Sequence, residues 1–358
     1  MTTVTPNTTR ESVFYFYQEE QLTFLYILFA LIVLGNTLVI IAICVTKSRR
    51  SRMHIFILNL AIADLSAGLV NVLTDIVWKN TIEWHAGSVG CKIVRYSQGV
   101  VTYGSTYALV ALSLDRLNAI ARPLSFSGDR LRIRLLIGLA WSFAFVFSVP
   151  MLIINKLTLV GDKWQCWINF PEQWVWQLYM TCICVVVFFI PAIIIAVCYI
   201  IIVVIIWRKT TLSESSEKTT QFVQNGGQLY VAANNARFRD CSTSSRGVIP
   251  RAKIKTIKMT LVIVTVFIIC WSPYFVYDLL TVYGFVPHTQ DTVALSTFIQ
   301  SLAPLNSAAN PIIYAGFNTK MCVNLFRCRF LNRRNSSPTN TTHLTGSRNK
   351  QPRRHVCD

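Results

Sequence analysis

Seven apolar runs, each long enough to cross a bilayer, constrain what this chain can fold into more than any motif does. They occupy residues 24–44, 55–78, 96–114, 135–155, 173–207, 259–277 and 292–319. A spanning helix needs about 20 apolar residues, because the hydrocarbon core is about 30 Å thick. The run at 55–78 carries only Asp64 and Asp75, and the runs at 24–44, 96–114, 135–155, 173–207 and 259–277 carry no charge. A single run of this kind also suits a buried core helix; seven in one chain do not. Lipid offers the backbone no hydrogen-bond partner, so a spanning segment must be a helix or a strand of a closed barrel. The length of the runs and their lack of strict alternation select helices. The expected fold class is all-α: a seven-transmembrane helix bundle.

The charges agree with this reading. Only 14% of residues are charged, where a soluble chain carries about 25%. The net charge is +18, from 34 Lys and Arg against 16 Asp and Glu. Such a surplus fits either nucleic acid or a membrane surface, and its distribution decides. With the N-terminus outside, the outer segments hold only Arg10, Lys79, Lys92, Arg95, Lys156 and Lys163, and the other 28 basic residues lie on the inner side. That is the positive-inside bias of a membrane protein. The lipid bilayer accounts for the surplus and a nucleic-acid partner is not required. An odd number of spans puts the C-terminus in the cytoplasm, and the plasma membrane is the expected location.

The organisation then reads as an extracellular segment at 1–20, a seven-transmembrane domain at 21–317, and a cytoplasmic tail. A polar third cytoplasmic loop at about 208–251 is expected to be mostly disordered. Residues 318–330, with Phe317, Met321, Leu325, Phe326 and Phe330 on or beside them, suit an amphipathic helix lying on the inner leaflet. Residues 331–358 read as a disordered, Ser/Thr-rich tail. The polar N-terminus has no signal-peptide core, and Asn7 heads a glycosylation sequon on the outer side. Of eleven cysteines, only Cys91 and Cys166 fall on the outer side, where disulfides persist; a bridge between them is expected. Cys322 and Cys328 follow the last span and are candidates for palmitoylation, against inert thiols.

Ionisable groups inside a membrane are costly and mark function by default. Asp64 lies deep in the second run. Asn36, Ser105, Asn306, Ser307 and Asn310 lie in the first, third and seventh. If they meet, they form a polar cluster with room for water or a sodium ion, since hard cations take oxygen ligands. Asp115-Arg116 ends the third run and alone suits an interfacial ion pair. Pro273 and Pro311 sit inside the sixth and seventh runs, where proline removes a hydrogen bond and kinks the helix. An enzyme is not expected. The five histidines are scattered, there is no His-Glu-x-x-His, and Asp64 and Asp115 lie at different depths. No internal repeat supports a transporter built from two halves.

In order along the chain stand Gly35-Asn36, Leu60-Ala61-Ile62-Ala63-Asp64, Asp115-Arg116, Trp141, Pro191 with Tyr199, Cys270-Trp271-Ser272-Pro273 and Asn310-Pro311-Ile312-Ile313-Tyr314. The set resembles the rhodopsin-like (class A) G-protein-coupled receptors over residues of about 20 to 330. The segment from Cys91 to Gln98 is similar to the third-helix opening of vasopressin/oxytocin-type receptors. The segments from Ile249 to Lys258 and from Trp271 to Asp278 resemble neuropeptide S and crustacean cardioactive peptide receptors. Those from Gln165 to Trp174 and from Thr297 to Ser307 resemble the cardioactive peptide branch.

The resemblance implies an extracellular neuropeptide agonist, cardioactive-peptide-like first, with vasopressin/oxytocin-like or neuropeptide S-like peptides as the alternative. It implies ligand contacts at Asp75, Arg95, Gln98, Trp167, Trp174, Tyr274 and Asp278, although the tryptophans also suit an interfacial belt. Gln98 is a neutral amide where amine receptors place a carboxylate. The seventh run holds no lysine before Lys320, so there is no retinal Schiff base. The implied activation switches are Asp115, Arg116, Tyr199, Phe267, Trp271, Pro273, Asn310, Pro311 and Tyr314. The implied partners are a heterotrimeric G protein (Gq first, Gs second), a receptor kinase and arrestin. No cofactor is required, and sodium at Asp64, Ser105, Asn306, Ser307 and Asn310 is the one candidate ion. Two departures stand out. The family's Asp-Arg-Tyr is Asp115-Arg116-Leu117 here, and the inner end of the sixth run offers Lys253, Lys255 and Lys258 with no acid facing Arg116.

Overall fold

The computed structural model describes residues 18–45, 52–122, 129–168, 170, 172–225, 251–287 and 289–317. Helix α1 is Gln18–Val45. Helix α2 runs Arg52–Ala67, passes a π turn at Gly68–Val72 and continues as Leu73–Thr81. Helix α3 is Gly87–Ala121, and α4 is Asp129–Ser148 followed by Pro150–Ile154. Strands β1 (Asn155–Val160) and β2 (Lys163–Ile168) form an antiparallel hairpin. Helix α5 runs Gln173–Cys184, a π turn at Val185–Phe189, then Ile190–Asn225. Helix α6 is Arg251–Val282, and α7 is Gln290–Gln300 and Leu305–Phe317, joined by a turn at 301–304.

Among the described residues, five helices are long and apolar enough to cross a membrane by length and composition. They are Glu19–Val45, Arg52–Thr81, Arg130–Ile154, Gln173–Arg208 and Ile257–Val282. Helices α3 and α7 fall outside this set for different reasons. The turn at 301–304 breaks α7 into two short pieces, where the sequence suggested one run. Helix α3 packs against α2, α4 and α5 and is buried almost continuously from Gly99 to Ser113. Shielded from lipid, it tolerates Gly, Ser, Thr and Tyr along its length.

The bundle is apolar on the outside. Ile193, Val197, Ile200, Val204 and Trp207 are exposed at helical spacing on α5, while Asn36, Asn59, Asp64, Ser105, Asn306, Ser307 and Asn310 are buried. A water-soluble helix has the reverse pattern, so the exposed stripe is a lipid face. Small residues let the helices approach closely. A Cβ on Gly35 would lie 2.9 Å from Pro311 Cγ, and one on Gly104 3.0 Å from Trp141 Cζ3.

Two expectations change. Helix α5 continues to Asn225, so the first part of the loop placed at 208–251 is helical: the backbone hydrogen-bond ladder propagates past the membrane boundary into Ser/Thr-rich sequence. Helix α3 begins at Gly87 rather than near residue 96, because the polar segment from Cys91 to Arg95 is held by the hairpin. Residues 1–17 with Asn7, and residues 318–358 with Cys322 and Cys328, lie outside the described residues, as do 226–250.

Candidate functional site

The hairpin closes over the C-terminal end of α2 and the N-terminal end of α3. Its two-residue turn is Gly161-Asp162, with Gly161 at φ 64, the conformation a first-position glycine supplies in such turns. The expected disulfide joins Cys91 on α3 to Cys166 on β2, Cα to Cα 5.5 Å, and is packed under Trp84, Val94 and Leu157. Gln165 secures the lid twice. It donates Nε2 to the Ile82 carbonyl at 2.6 Å and accepts from Trp78 Nε1 at 2.8 Å. Ile82 has φ 59, a left-handed conformation that is strained for a β-branched residue; it ends α2, and the Gln165 contact holds it there. In the sequence Gln165 stands only inside the segment from Gln165 to Trp174, with nothing that assigns it this role. Its neighbour Cys166 was the available signal.

Beneath the lid, Arg95 draws together three elements. Its Nη1 donates to Gln98 Oε1 at 3.1 Å and its Nη2 to the Cys166 carbonyl at 3.2 Å. Its guanidinium lies 4.5 Å from the Trp78 ring centroid, a cation–π distance. Arg95 Nε is buried without a hydrogen-bond partner. Asp75 is an electrostatic neighbour of Arg95 and Lys79. Across the bundle, Asp278 and Tyr274 are neighbours one turn apart on α6. Asp278 lines a cavity of about 200 Å³ between α5, α6 and α7. Trp167 and Trp174 are not drawn in: they are 55% and 59% exposed on the outer surface, and Trp174 Nε1 contacts the Glu172 carboxylate.

An aromatic cluster forms the floor. Trp271 stacks on Phe275 at 5.5 Å and meets Tyr274 edge-on at 5.9 Å and Phe267 at 6.2 Å. Phe188, in the π turn of α5, touches Phe267 and Phe275. Trp271 Nε1 is buried with no partner, two residues before Pro273, which lies inside α6.

The polar cluster assembles around Asp64, with one exception. Asp64 Oδ1 accepts from Ser105 Oγ at 2.6 Å and Ser307 Oγ at 2.9 Å, and Oδ2 accepts from Asn310 Nδ2 at 2.7 Å. Asn36 Nδ2 donates to the carbonyls of Ile32 and Ser307. Asn306 is buried nearby in sequence but makes no hydrogen bond to Asp64, and its Oδ1 is unpartnered, as is that of Asn310. A carboxylate, two hydroxyls and an unpartnered amide oxygen are donors that suit a small hard cation. Among the described residues no group of three His, Cys, Asp or Glu could hold a metal.

At the C-terminal end of α3, Asp115 and Arg116 form an ion pair. Arg116 is 11% exposed and its Nε is unpartnered. The buried hydroxyl of Tyr314 also lacks a partner, and that of Tyr199 stands beside Thr260, Ser113 and Arg116 without a well-formed hydrogen bond. Leu117, at the position of the expected phenol, packs on the apolar core. Pro311 lies inside α7, against Gly35 of α1.

Residues 35–314 match the family model described as 7 transmembrane receptor (rhodopsin family). The chain is 41% identical over 307 residues to a neuropeptide S receptor from Mus musculus, covering 86% of this chain and 78% of the relative. It is 40% identical over 319 residues to the Homo sapiens neuropeptide S receptor, covering 89% and 81%. It is 29% identical over 296 residues to cephalotocin receptor 1 of Octopus vulgaris, covering 80% and 74%.

Proposed function

Because the chain belongs to the rhodopsin family of seven-transmembrane receptors, a receptor family and not an enzyme family, we propose that it is a plasma-membrane receptor for an extracellular neuropeptide. The observation that carries the reading is the roofed outer site. A disulfide-tied hairpin covers a site that offers Arg95 and Asp75 on one side and Asp278 on the other. Both signs of charge, amides and aromatic area suit a peptide's backbone, termini and polar side chains. A monoamine would meet the neutral Gln98 on α3.

The similarity to neuropeptide S receptors supports a peptide of that class. A cardioactive-type peptide is the second reading, favoured by the segments from Gln165 to Trp174 and from Thr297 to Ser307. The N-terminus is placed outside, which the basic residues of the inner segments support.

Agonism requires that the peptide bind one helix packing more tightly than the other. Contacts at Asp75, Arg95, Gln98, Tyr274 and Asp278 bias the floor at Trp271, whose free Nε1 leaves it able to change partners. The Pro273 region lets the inner half of α6 move. Arg116, Tyr199 and Tyr314 hold spare donors at the inner face, where they rearrange to accept a heterotrimeric G protein, Gq first and Gs second. A sodium ion at Asp64, Ser105, Ser307 and Asn310 favours the inactive packing. Phosphorylation of the Ser/Thr-rich tail by a receptor kinase recruits arrestin.

The test is calcium and cyclic-AMP recording in cells expressing the full chain, challenged with neuropeptide S, a cardioactive peptide and cephalotocin. A saturable response at nanomolar concentration to one of them is expected. Silence to all three with surface expression intact would overturn the peptide reading while leaving the family membership.

A further inference from the structure

The two acids of the outer site are not equivalent. Asp75 already has cations beside it, Arg95 and Lys79. Asp278 has none. Its neighbours are Tyr274, whose hydroxyl hydrogen-bonds to it, and Cys184, and no ion pair to Asp278 occurs among the described residues. A carboxylate between membrane helices is costly when left unpaired, so its position calls for a counter-charge that the chain does not supply.

The surroundings state what kind. Among the described residues, Asp278 is the sole charged one lining the cavity of about 200 Å³, which is walled by Trp176 of α5, Tyr277 of α6 and the polar Thr292, Ser296 and Gln300 of α7. Aromatic faces attract cations, and hydroxyl and amide oxygens accept their N–H groups. The volume holds a guanidinium or ammonium with part of its alkyl stem, and is too small for a peptide segment. The cavity reaches Val286 and Pro287 in the α6–α7 connection, at the hairpin end of the bundle. Tyr277 also donates its hydroxyl to the Thr292 carbonyl at 2.5 Å, which fixes one wall.

We infer that this cavity is a cation subsite: Asp278, flanked by Trp176 and Tyr277, receives one positively charged group of the agonist, either a basic side chain or the free N-terminal ammonium. This rests on the peptide-receptor reading and names the ligand chemistry of one half of that site.

Two arms test it in the full chain. In the first, neuropeptide S is applied to the wild type and to Asp278→Asn, each at matched surface expression. The peptide is used intact, N-acetylated, and with each Arg replaced by citrulline and each Lys by norleucine. One neutralised position should cost the wild type at least tenfold in potency and cost Asp278→Asn little more, because both changes remove the same contact. Which analogue shows this distinguishes guanidinium, side-chain ammonium and terminus. Additive losses at every position would overturn the inference, with the peptide reading intact.

The second arm needs no agonist. A Ser296→Cys receptor is labelled with a trimethylammonium-ethyl and with a sulfonatoethyl methanethiosulfonate, and the labelling of the parent is subtracted. The cationic reagent should react preferentially, and adding Asp278→Asn should reduce the preference at least tenfold. An unchanged ratio would overturn the subsite even if neuropeptide S were silent on the wild type, a silence that would count against the peptide reading alone.

Discussion

The side-chain amide of Asn310 donates to Asp64 Oδ2 at 2.7 Å, which fastens α7 to α2 at the same carboxylate that Ser105 binds from α3. Asn310 immediately precedes Pro311, so the helix that loses a backbone hydrogen bond at the proline is held by a side chain one residue earlier. Three helices therefore share one buried acid, and any change of packing among them must pass through it.

Substitutions at Asp64 should separate charge from hydrogen bonding. Asp64→Asn keeps an oxygen acceptor, whereas Asp64→Ala leaves Ser105, Ser307 and Asn310 without theirs. A buried polar group stranded in this way costs about 1–3 kcal/mol. Asp64→Ala should therefore melt clearly below Asp64→Asn in a thermal-unfolding assay in nanodiscs. If sodium binds here, replacing sodium chloride by choline chloride should raise wild-type agonist affinity and leave Asp64→Asn unmoved. Equal salt responses in the two would remove the ion from the mechanism.

Arg95 makes contacts that a lysine cannot reproduce together, since a planar guanidinium forks to Gln98 and the Cys166 carbonyl while lying over Trp78. Arg95→Ala should lower peptide potency about 10- to 100-fold, corresponding to one charge-assisted hydrogen bond at about 1.5–3 kcal/mol. Arg95→Lys should recover only part of it. Radioligand binding alongside the signalling assay checks this, and unaltered affinity in Arg95→Ala would remove the residue from the ligand site.

Much of this was legible in the sequence, for identifiable reasons. The spans and the Cys91–Cys166 pairing follow from lipid and from the redox difference across a membrane, both of which act on composition. The Asp64 cluster followed from the cost of a charge in hydrocarbon. The hairpin was not legible: Leu157 and Leu159 alternate with polar neighbours for only a few residues, and the strands exist because the disulfide and Gln165 hold them on α2 and α3. Nor was the outward turn of Trp167 and Trp174, since tryptophan suits a pocket and an interface equally. The separation of Asn306 from Asp64 also depends on rotation about α7, which the turn at 301–304 sets.

The contact between Gly35 and Pro311 should be intolerant of volume. A Cβ on Gly35 would approach Pro311 Cγ to 2.9 Å and Cβ to 3.0 Å, and a proline ring inside a helix cannot rotate away. Overpacking of this kind costs about 1–3 kcal/mol. Gly35→Ala should lower the melting temperature and surface expression, and Gly35→Val should do so further. Gly138→Ala, at a glycine with nothing within 4 Å of its added Cβ, is the control and should be neutral.

Gln165 carries a load that its place in a short hairpin strand conceals. Its two hydrogen bonds join the hairpin to Trp78 and to the carbonyl of Ile82, the one described non-glycine residue with positive φ. Gln165→Leu would strand the Trp78 indole N–H and the Ile82 carbonyl, at about 1–3 kcal/mol for each buried group. The disulfide would still tether β2, so the fold should survive with a loosened lid. Ile82→Gly removes the strain of a left-handed β-branched residue, so Gln165→Leu should do less harm on an Ile82→Gly background than on the wild type. Hydrogen exchange of the hairpin amides reads the lid directly. Faster exchange in Gln165→Leu, partly restored in the double variant, is the expected result; unchanged exchange would mean that the disulfide alone holds the hairpin down.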